Sequence, residues 1–204
     1  MTFFNGLMFI LACYLAGSIP MGFVLVKLFT GKDLRTIGSG NVGSTNAKRA
    51  AGPIVGGLSF VYDSVKGAAA VLIGMHLAGP FWAMAGGMAA FLGHLYPVWL
   101  KFKGGKGVAT GVGIAVALFP PSSLMAAVVW IIVRVTTGYV SLASVTATIS
   151  VVAFVVLANI SPFYSVCVPI IGAMIVWRHR GNFQRILEGC ENRAPKYLFA
   201  GRDR

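Results

Sequence analysis

The chain has 204 residues, of which 57% are hydrophobic and only 11% charged, and its mean hydropathy is +0.80. A soluble domain carries about 25% charged residues, so most of this surface is not water-facing and the composition implies an all-α integral membrane protein. Basic residues outnumber acidic ones 17 to 5, a net charge of +12. In a soluble chain that would point to nucleic acid. Here positive-inside topology explains it better, with an anionic substrate or lipid headgroup as a second cause, and no nucleic-acid partner is expected.

Taken in chain order, the apolar runs are roughly 3–28, 51–78, 80–100, 107–119, 121–135, 140–159 and 163–177. The first lacks a basic n-region and a small-residue cleavage site, so it reads as a retained helix bent at Pro20 of GSIP. The second carries Asp63 and Lys66 at i, i+3. A charge at mid-membrane costs about 2.5–3.5 kcal/mol, less when paired; a structural ion pair is the reading taken, with substrate contact as the alternative. His94, near the end of the third run, reads as a hydrogen-bonded structural histidine. The fourth and fifth runs flank Pro120-Pro121. At about thirteen residues each they rise only about 20 Å against a hydrocarbon core of about 30 Å. They are short tilted helices or a re-entrant pair.

The first 26 residues carry no charged side chain, which places the N-terminus outside. Lys32, Arg35, Lys48 and Arg49 form one basic cluster, Lys101, Lys103 and Lys106 a second, and Arg178, Arg180, Arg185, Arg193 and Lys196 a third. Placing all of them in the cytoplasm allows seven crossings, or five if the short pair does not cross. Seven is the count taken, with a cytoplasmic C-terminus and a cytoplasm-facing active site. Residues 1–192 read as one membrane domain and 193–204 as a disordered tail. Cys13, Cys167 and Cys190 have no metal-site or disulfide spacing, so neither metal nor cofactor is expected.

Three polar blocks then fall on one face: GSGNVGSTNAKR at 38–49, KFKGGKGVATG at 101–111 and RHRGNFQRILEGCE at 178–191. In the second, Gly104, Gly105 and Gly107 bracket Lys106 ahead of a helix starting near Val108. Backbone N–H groups and a helix N-terminus would cradle a phosphate there, unless the glycines are a plain turn. In the first, Ser39, Asn41, Ser44, Thr45 and Asn46 offer hydroxyls and amides, and Arg49 can hold a phosphate bidentately. Asn46 or Thr45 could also cap a helix beginning near Ala47. The third block reads as an amphipathic surface helix with Phe183, Ile186, Leu187 and Cys190 on its apolar stripe. Helical spacing puts His179 at the boundary between lipid and the polar face that carries Asn182.

SGNVGSTNAKR at 39–49, GHLYPVWLKFKGGKGVAT at 93–110 and RHRGNFQRILEGCE at 178–191 resemble the three signature blocks of the bacterial acyl-phosphate:glycerol-3-phosphate acyltransferases, the PlsY family. GSIP at 17–20 and DSVKG at 63–67 are similar to it as well, so the likeness spans nearly the whole chain. The resemblance implies seven transmembrane helices in the bacterial cytoplasmic membrane. It implies transfer of a fatty acyl group from acyl-phosphate, not from acyl-CoA or acyl-carrier protein, to glycerol 3-phosphate. The product is lysophosphatidic acid, in the first acylation of phospholipid synthesis. A soluble acyl-phosphate synthase of the PlsX type is the implied partner. By motif position, Ser39 and Arg49 are the essential pair of the first block. Gly104, Gly105, Gly107 and Lys106 form the glycerol-3-phosphate loop, with Asn41, Thr45 and Asn46 as further binding candidates. His179 and Asn182 are the important pair of the third block, and Glu191 serves structural integrity. Gly181 stands where a larger polar residue is expected.

The mixed-anhydride donor already carries a good leaving group, so the chemistry left to the protein is to bind two phosphate-bearing substrates and to deprotonate an alcohol. His179 or a substrate phosphate oxygen takes the proton, Ser39 and Asn182 orient the reactants, and Ser39 as covalent nucleophile stays open. A phosphate-ester transporter would place its binding groups at mid-membrane between repeats. A metal-dependent phosphotransferase would need clustered aspartates, whereas Asp33, Asp63 and Asp203 are far apart.

Overall fold

Pro20 interrupts the first apolar run, as its missing N–H and fixed φ require. The computed structural model describes residues 2–193, whose regular structure is helical throughout. Of the tail expected at 193–204, only Arg193 lies among the described residues. The chain divides into two compact units, one up to Leu118 and one from Phe119 onward.

In the first unit, α1 (Phe3–Ser18) and α2 (Met21–Thr30) meet at the Ile19-Pro20 break. A 3-10 turn at Leu34–Thr36 leads by a loop into α3 (Ser44–Ala78). Gly52 kinks α3 (φ 89°, ψ 175°) just before Pro53, which cannot continue the helix ladder. Then come α4 (Pro80–Leu95), a 3-10 turn at Val98–Leu100 and α5 (Val108–Leu118). α4 stops at Leu95 instead of running to residue 100, because Pro97 disfavours helical geometry in the residue before it. α3 packs against α1, α2, α4 and α5, and α1 against α4.

Small residues set these contacts. Lipid tails are as apolar as leucine, so helices associate in a bilayer through close packing, not through escape from water. A Cβ at Gly17 would strike the Ala90 backbone, one at Gly93 the Tyr14 and Ser18 backbone, and one at Gly113 the Ser64 backbone. Large apolar side chains such as Leu28, Ile54, Leu124 and Leu157 point outward instead.

The second unit holds α6 (Pro120–Thr137), α7 (Val140–Leu157), α8 (Pro162–Arg178) and α9 (Arg180–Leu187), with α7 packed on both α6 and α8. Of the two helices expected to be short, only α5 is. Pro120 and Pro121 open α6 from its first turn, where proline's missing N–H costs nothing, and the helix runs on to the Gly138 cap. Its 18 residues rise about 27 Å. Phe3–Thr30, Ser44–Ala78, Pro120–Thr137 and Val140–Leu157 are each long and apolar enough to cross a membrane, and α5 and α8 are shorter apolar helices.

Candidate active site

Between α2 and α3 the chain reverses through two glycines in the left-handed region, Gly38 (φ 56°) and Gly40 (φ 67°). Asn46 holds the reversal. Only 2% exposed, it donates its amide to the carbonyls of Leu34 (3.2 Å), Ile37 (2.9 Å) and Asn41 (2.9 Å). Its Oδ1 accepts from the Ser39 N–H at 3.2 Å. Asn41 Oδ1 accepts from Gly43 N at 2.8 Å and so turns the chain into α3. The helix starts at Ser44, with Gly43 as its cap and no side-chain cap bond, so neither Asn46 nor Thr45 caps a helix at Ala47. Asn46 lies in the first turn and faces back into the loop, which spends its amide on backbone instead of leaving it to a substrate. Ser39, Thr45 and Arg49 are exposed, and the Arg49 Cδ reaches to 4.0 Å from where a Cβ on Gly38 would stand.

At the foot of this loop, Asp33 caps the 3-10 turn through the Arg35 N–H (2.9 Å) and pairs with the Arg35 guanidinium at 2.6 Å. The side-chain bond from Arg35 draws the Asp33 carboxyl down to about 2. Below, Val26, Leu34, Val42, Ala47 and Val55 form one core with Leu100, the last residue of the 3-10 turn ahead of the glycine loop. The first block and the glycine loop are therefore rooted in the same apolar cluster.

Lys101 (φ 52°) and Phe102 (φ 62°) turn the chain left-handed into the glycine loop. Here the expected cradle changes. The N–H groups of Gly104 and Gly105 donate to the carbonyls of Leu95 (3.1 Å) and His94 (3.0 Å), the last residues of α4. They hold the loop on α4 instead of facing an anion. The N–H groups of the α5 first turn, at Val108, Ala109 and Thr110, have no acceptor within the helix, and a helix N-terminus of this kind suits an anion. Half-buried Lys106 stands directly before that turn. Gly107 (φ 87°) needs glycine for its conformation, and a Cβ there would also meet Phe91.

Asp63 and Lys66 are buried and paired at 2.6 Å, and Lys66 Nζ donates to the Ile19 carbonyl at 3.1 Å. The ammonium thus joins the Met21 N–H (3.1 Å) on the carbonyl at the Pro20 break. His94 Nδ1 lies 3.5 Å from the same Asp63 oxygen.

In the second unit the helix breaks at His179 (φ −97°, ψ 0°), which ends α8 and precedes α9. A continuous helix would put this ring at the lipid boundary; the break turns it inward, and it is 3% exposed. Its Nδ1 is 2.8 Å from the Ile175 carbonyl. A carbonyl only accepts, so Nδ1 carries the hydrogen and Nε2 is the basic nitrogen of the neutral ring. Buried Asn182 donates to Glu191 Oε1 at 2.7 Å, and Ser141 Oγ donates to the same oxygen at 3.0 Å. Arg185 Nε donates to Oε2 at 2.8 Å. Burial pushes the Glu191 carboxyl up, but the bonds from Asn182, Arg185 and Ser141 outweigh it and hold the group below the usual carboxylate range. Arg193 adds a second tie, donating to the Tyr139 hydroxyl at 2.8 Å over the same ring. Of the apolar stripe, Phe183 and Ile186 are half-buried while Leu187 and Cys190 are exposed.

The profile of the glycerol-3-phosphate acyltransferase family matches residues 7–189, which takes in the first two blocks and the third up to Gly189. The chain belongs to this family. A glycerol-3-phosphate acyltransferase of Aquifex aeolicus is 44% identical over 93% of this chain and 99% of its own length. One of Nitrobacter winogradskyi is 40% identical over 93% and 96%. A crystal structure of PlsY (YgiH), an integral membrane glycerol 3-phosphate acyltransferase in its glycerol 3-phosphate form, is 43% identical over 93% of this chain and 96% of that one, with a TM-score of 0.89. Its lysophosphatidic acid form superposes at a TM-score of 0.87 with 41% identity. The resemblance carried by the three blocks is thus a membership, and the fold is that of an integral membrane acyltransferase.

For this acyltransferase the sequence misses two kinds of residue. Ser141 anchors the third block, and Tyr139 the Arg193 just after it, from 50 and 54 residues away, with no motif of their own. His94 reads from the sequence as a structural histidine, but its approach to Asp63 and to the glycine loop shows only in the fold.

Proposed function

We propose that this chain transfers a fatty acyl group from acyl-phosphate to glycerol 3-phosphate, giving lysophosphatidic acid and phosphate. It acts in the bacterial cytoplasmic membrane, with seven crossings, the N-terminus outside, and residues 1–192 as one catalytic domain. Acyl-CoA and acyl-carrier protein are not donors, and a soluble acyl-phosphate synthase supplies the acyl-phosphate. The observation that carries this reading is the α5 N-terminus opening directly after Lys106, beside the core that also roots the Asn46 loop. Family membership supports it, as does the relative solved in glycerol 3-phosphate and lysophosphatidic acid forms. The clustering of basic residues in three polar blocks supports the topology.

The α5 N–H groups and Lys106 hold one phosphate, and Arg49 supplies a fork for the other. Ser39 orients the glycerol. Asn41 and Asn46 shape the loop that presents it, and Asn182 works through Glu191 to fix the third block. A glycerol hydroxyl attacks the acyl carbonyl carbon, its proton passes to a base, for which His179 and a substrate phosphate oxygen are the candidates, and the tetrahedral intermediate expels phosphate as the anhydride C–O bond breaks.

Folded, purified protein given acyl-phosphate and glycerol 3-phosphate should release lysophosphatidic acid, and should release none with acyl-CoA. No product from acyl-phosphate would overturn the reading. His179→Ala should lower turnover at saturating substrates and flatten its pH profile. Wild-type turnover with an unchanged profile gives the proton to a substrate phosphate instead.

A further inference from the structure

The geometry points to His94 as a positioning residue of the glycine loop, fixed in turn by the buried Asp63–Lys66 pair. This rests on the reading that the loop holds the phosphate of glycerol 3-phosphate. Gly105 has an ordinary backbone conformation, absent from the positions with positive φ. It therefore needs glycine for space, not for φ. A Cβ built there would run into His94 Nε2, with Cε1 at 2.8 Å and Cδ2 at 3.0 Å. Gly105 packs against the Nε2 end of the imidazole.

That ring has little room to retreat. It is 7% exposed, its Nδ1 faces Asp63 at 3.5 Å, and its own carbonyl takes the Gly105 N–H. Asp63 is held by Lys66, and Lys66 by the Ile19 carbonyl at the α1–α2 break. Three segments thus converge on the ring that sets the height of the loop: the break, α3 and α4. Buried intramembrane charges are costly and a simple structural pair would serve anywhere along α3. This one sits where its partner histidine touches the residue before Lys106.

The test is a cycle read in steady-state constants. Gly105→Ala should raise the KM for glycerol 3-phosphate by about tenfold or more, with the acyl-phosphate KM changed by less than about twofold. Adding His94→Ala makes room for the methyl, so the double variant should bind glycerol 3-phosphate better than Gly105→Ala alone, a non-additivity expected only of groups in contact. Gly104→Ala is the comparator. Its Cβ would meet the His94 and Leu95 carbonyls and Pro97, so removing the His94 ring should not rescue it. Asp63→Asn, which keeps the shape without the charge, should raise the same KM with kcat nearly unchanged.

An equal cost of Gly105→Ala in both backgrounds overturns the proposal, as does a loss confined to kcat in Asp63→Asn. If the non-additivity appears in the acyl-phosphate KM instead, the positioning role stands and the assignment of the loop to glycerol 3-phosphate falls. If His94→Ala does not fold, His94→Asn vacates the same space while keeping a polar side chain beside Asp63, and the same comparison decides.

Discussion

Asn46 and Glu191 each gather one polar segment, but with different chemistry. Asn46 binds three carbonyls and one N–H of the main chain, so what it holds is a backbone path. Glu191 binds the side chains of Ser141, Asn182 and Arg185, so what it holds is the position of α9 against the start of α7. A neutral amide has no charge to desolvate and keeps its bonding pattern at any pH. A carboxylate makes stronger, charge-assisted bonds but loses them on protonation. The first anchor should therefore be local and indifferent to pH, the second longer in reach and sensitive to acid.

The largest effect is expected at Asn46. Asn46→Ala takes the side-chain partner from the Asn41 carbonyl and the Ser39 N–H, and from the Leu34 and Ile37 carbonyls, which keep the N–H groups of Ile37 (3.4 Å) and Gly40 (3.0 Å); a buried orphan costs about 1–3 kcal/mol. Local relaxation and water will recover part of that. A net loss of about 3 kcal/mol in unfolding free energy is expected, with turnover falling by two orders of magnitude or so as the Ser39 and Arg49 supports go. Asn46→Asp should be no better, because it turns an acceptor toward three carbonyls. Unfolding in detergent and turnover measure both, and a near-normal Asp variant would show that the loop does not depend on the amide donors.

Glu191→Gln comes next. The amide oxygen can still accept from Ser141 and Asn182, but the NH2 faces Arg185, so a loss of about 1–2 kcal/mol is expected, smaller than for Glu191→Ala. The pH dependence separates the anchors. The folded Glu191 carboxyl titrates lower than an unfolded one. Between the two values the native state binds fewer protons, so stability rises with pH there. The contribution is complete above the ordinary carboxylate range and disappears as pH falls through the folded value. Acid should therefore loosen wild type more steeply than Glu191→Gln, and Asn46→Ala should keep the wild-type slope. Equal slopes in wild type and Glu191→Gln would remove Glu191 as the acid-sensitive anchor.

This contrast also explains what could be read from the sequence. Pro20 and the brevity of the run before Pro120-Pro121 are local properties, and the bend and the short α5 follow from them. The full length of α6 does not, because the same prolines that end one helix also open the next. The role of Asn46 is hidden because its partners are main-chain groups, which every residue has. Ser141 is hidden because 50 residues separate it from Glu191. The glycine loop was half legible. Glycines ahead of a helix mean either open N–H groups or no room for a side chain, and only the packing on His94 and Pro97 shows that Gly104 and Gly105 are the second case.

The smallest effect is expected at the third loop anchor, the Asp33–Arg35 pair, which resembles Glu191 in chemistry but not in setting. Its ion pair is as short as any here, at 2.6 Å, yet the side chains are 50% and 32% exposed. Water and salt screen such a pair, so the low Asp33 value of about 2 reports a local bond and little stability. Asp33 also caps the 3-10 turn through the Arg35 N–H, a task asparagine performs nearly as well. Asp33→Asn should therefore leave turnover and unfolding temperature within error of wild type, and high salt should erase what difference remains. Asp33→Ala, which loses the cap as well, should be measurably worse in both salts. If Asp33→Asn were as harmful as Glu191→Gln, burial would not be what separates a working carboxylate anchor from a decorative one, and Glu191 would need another explanation.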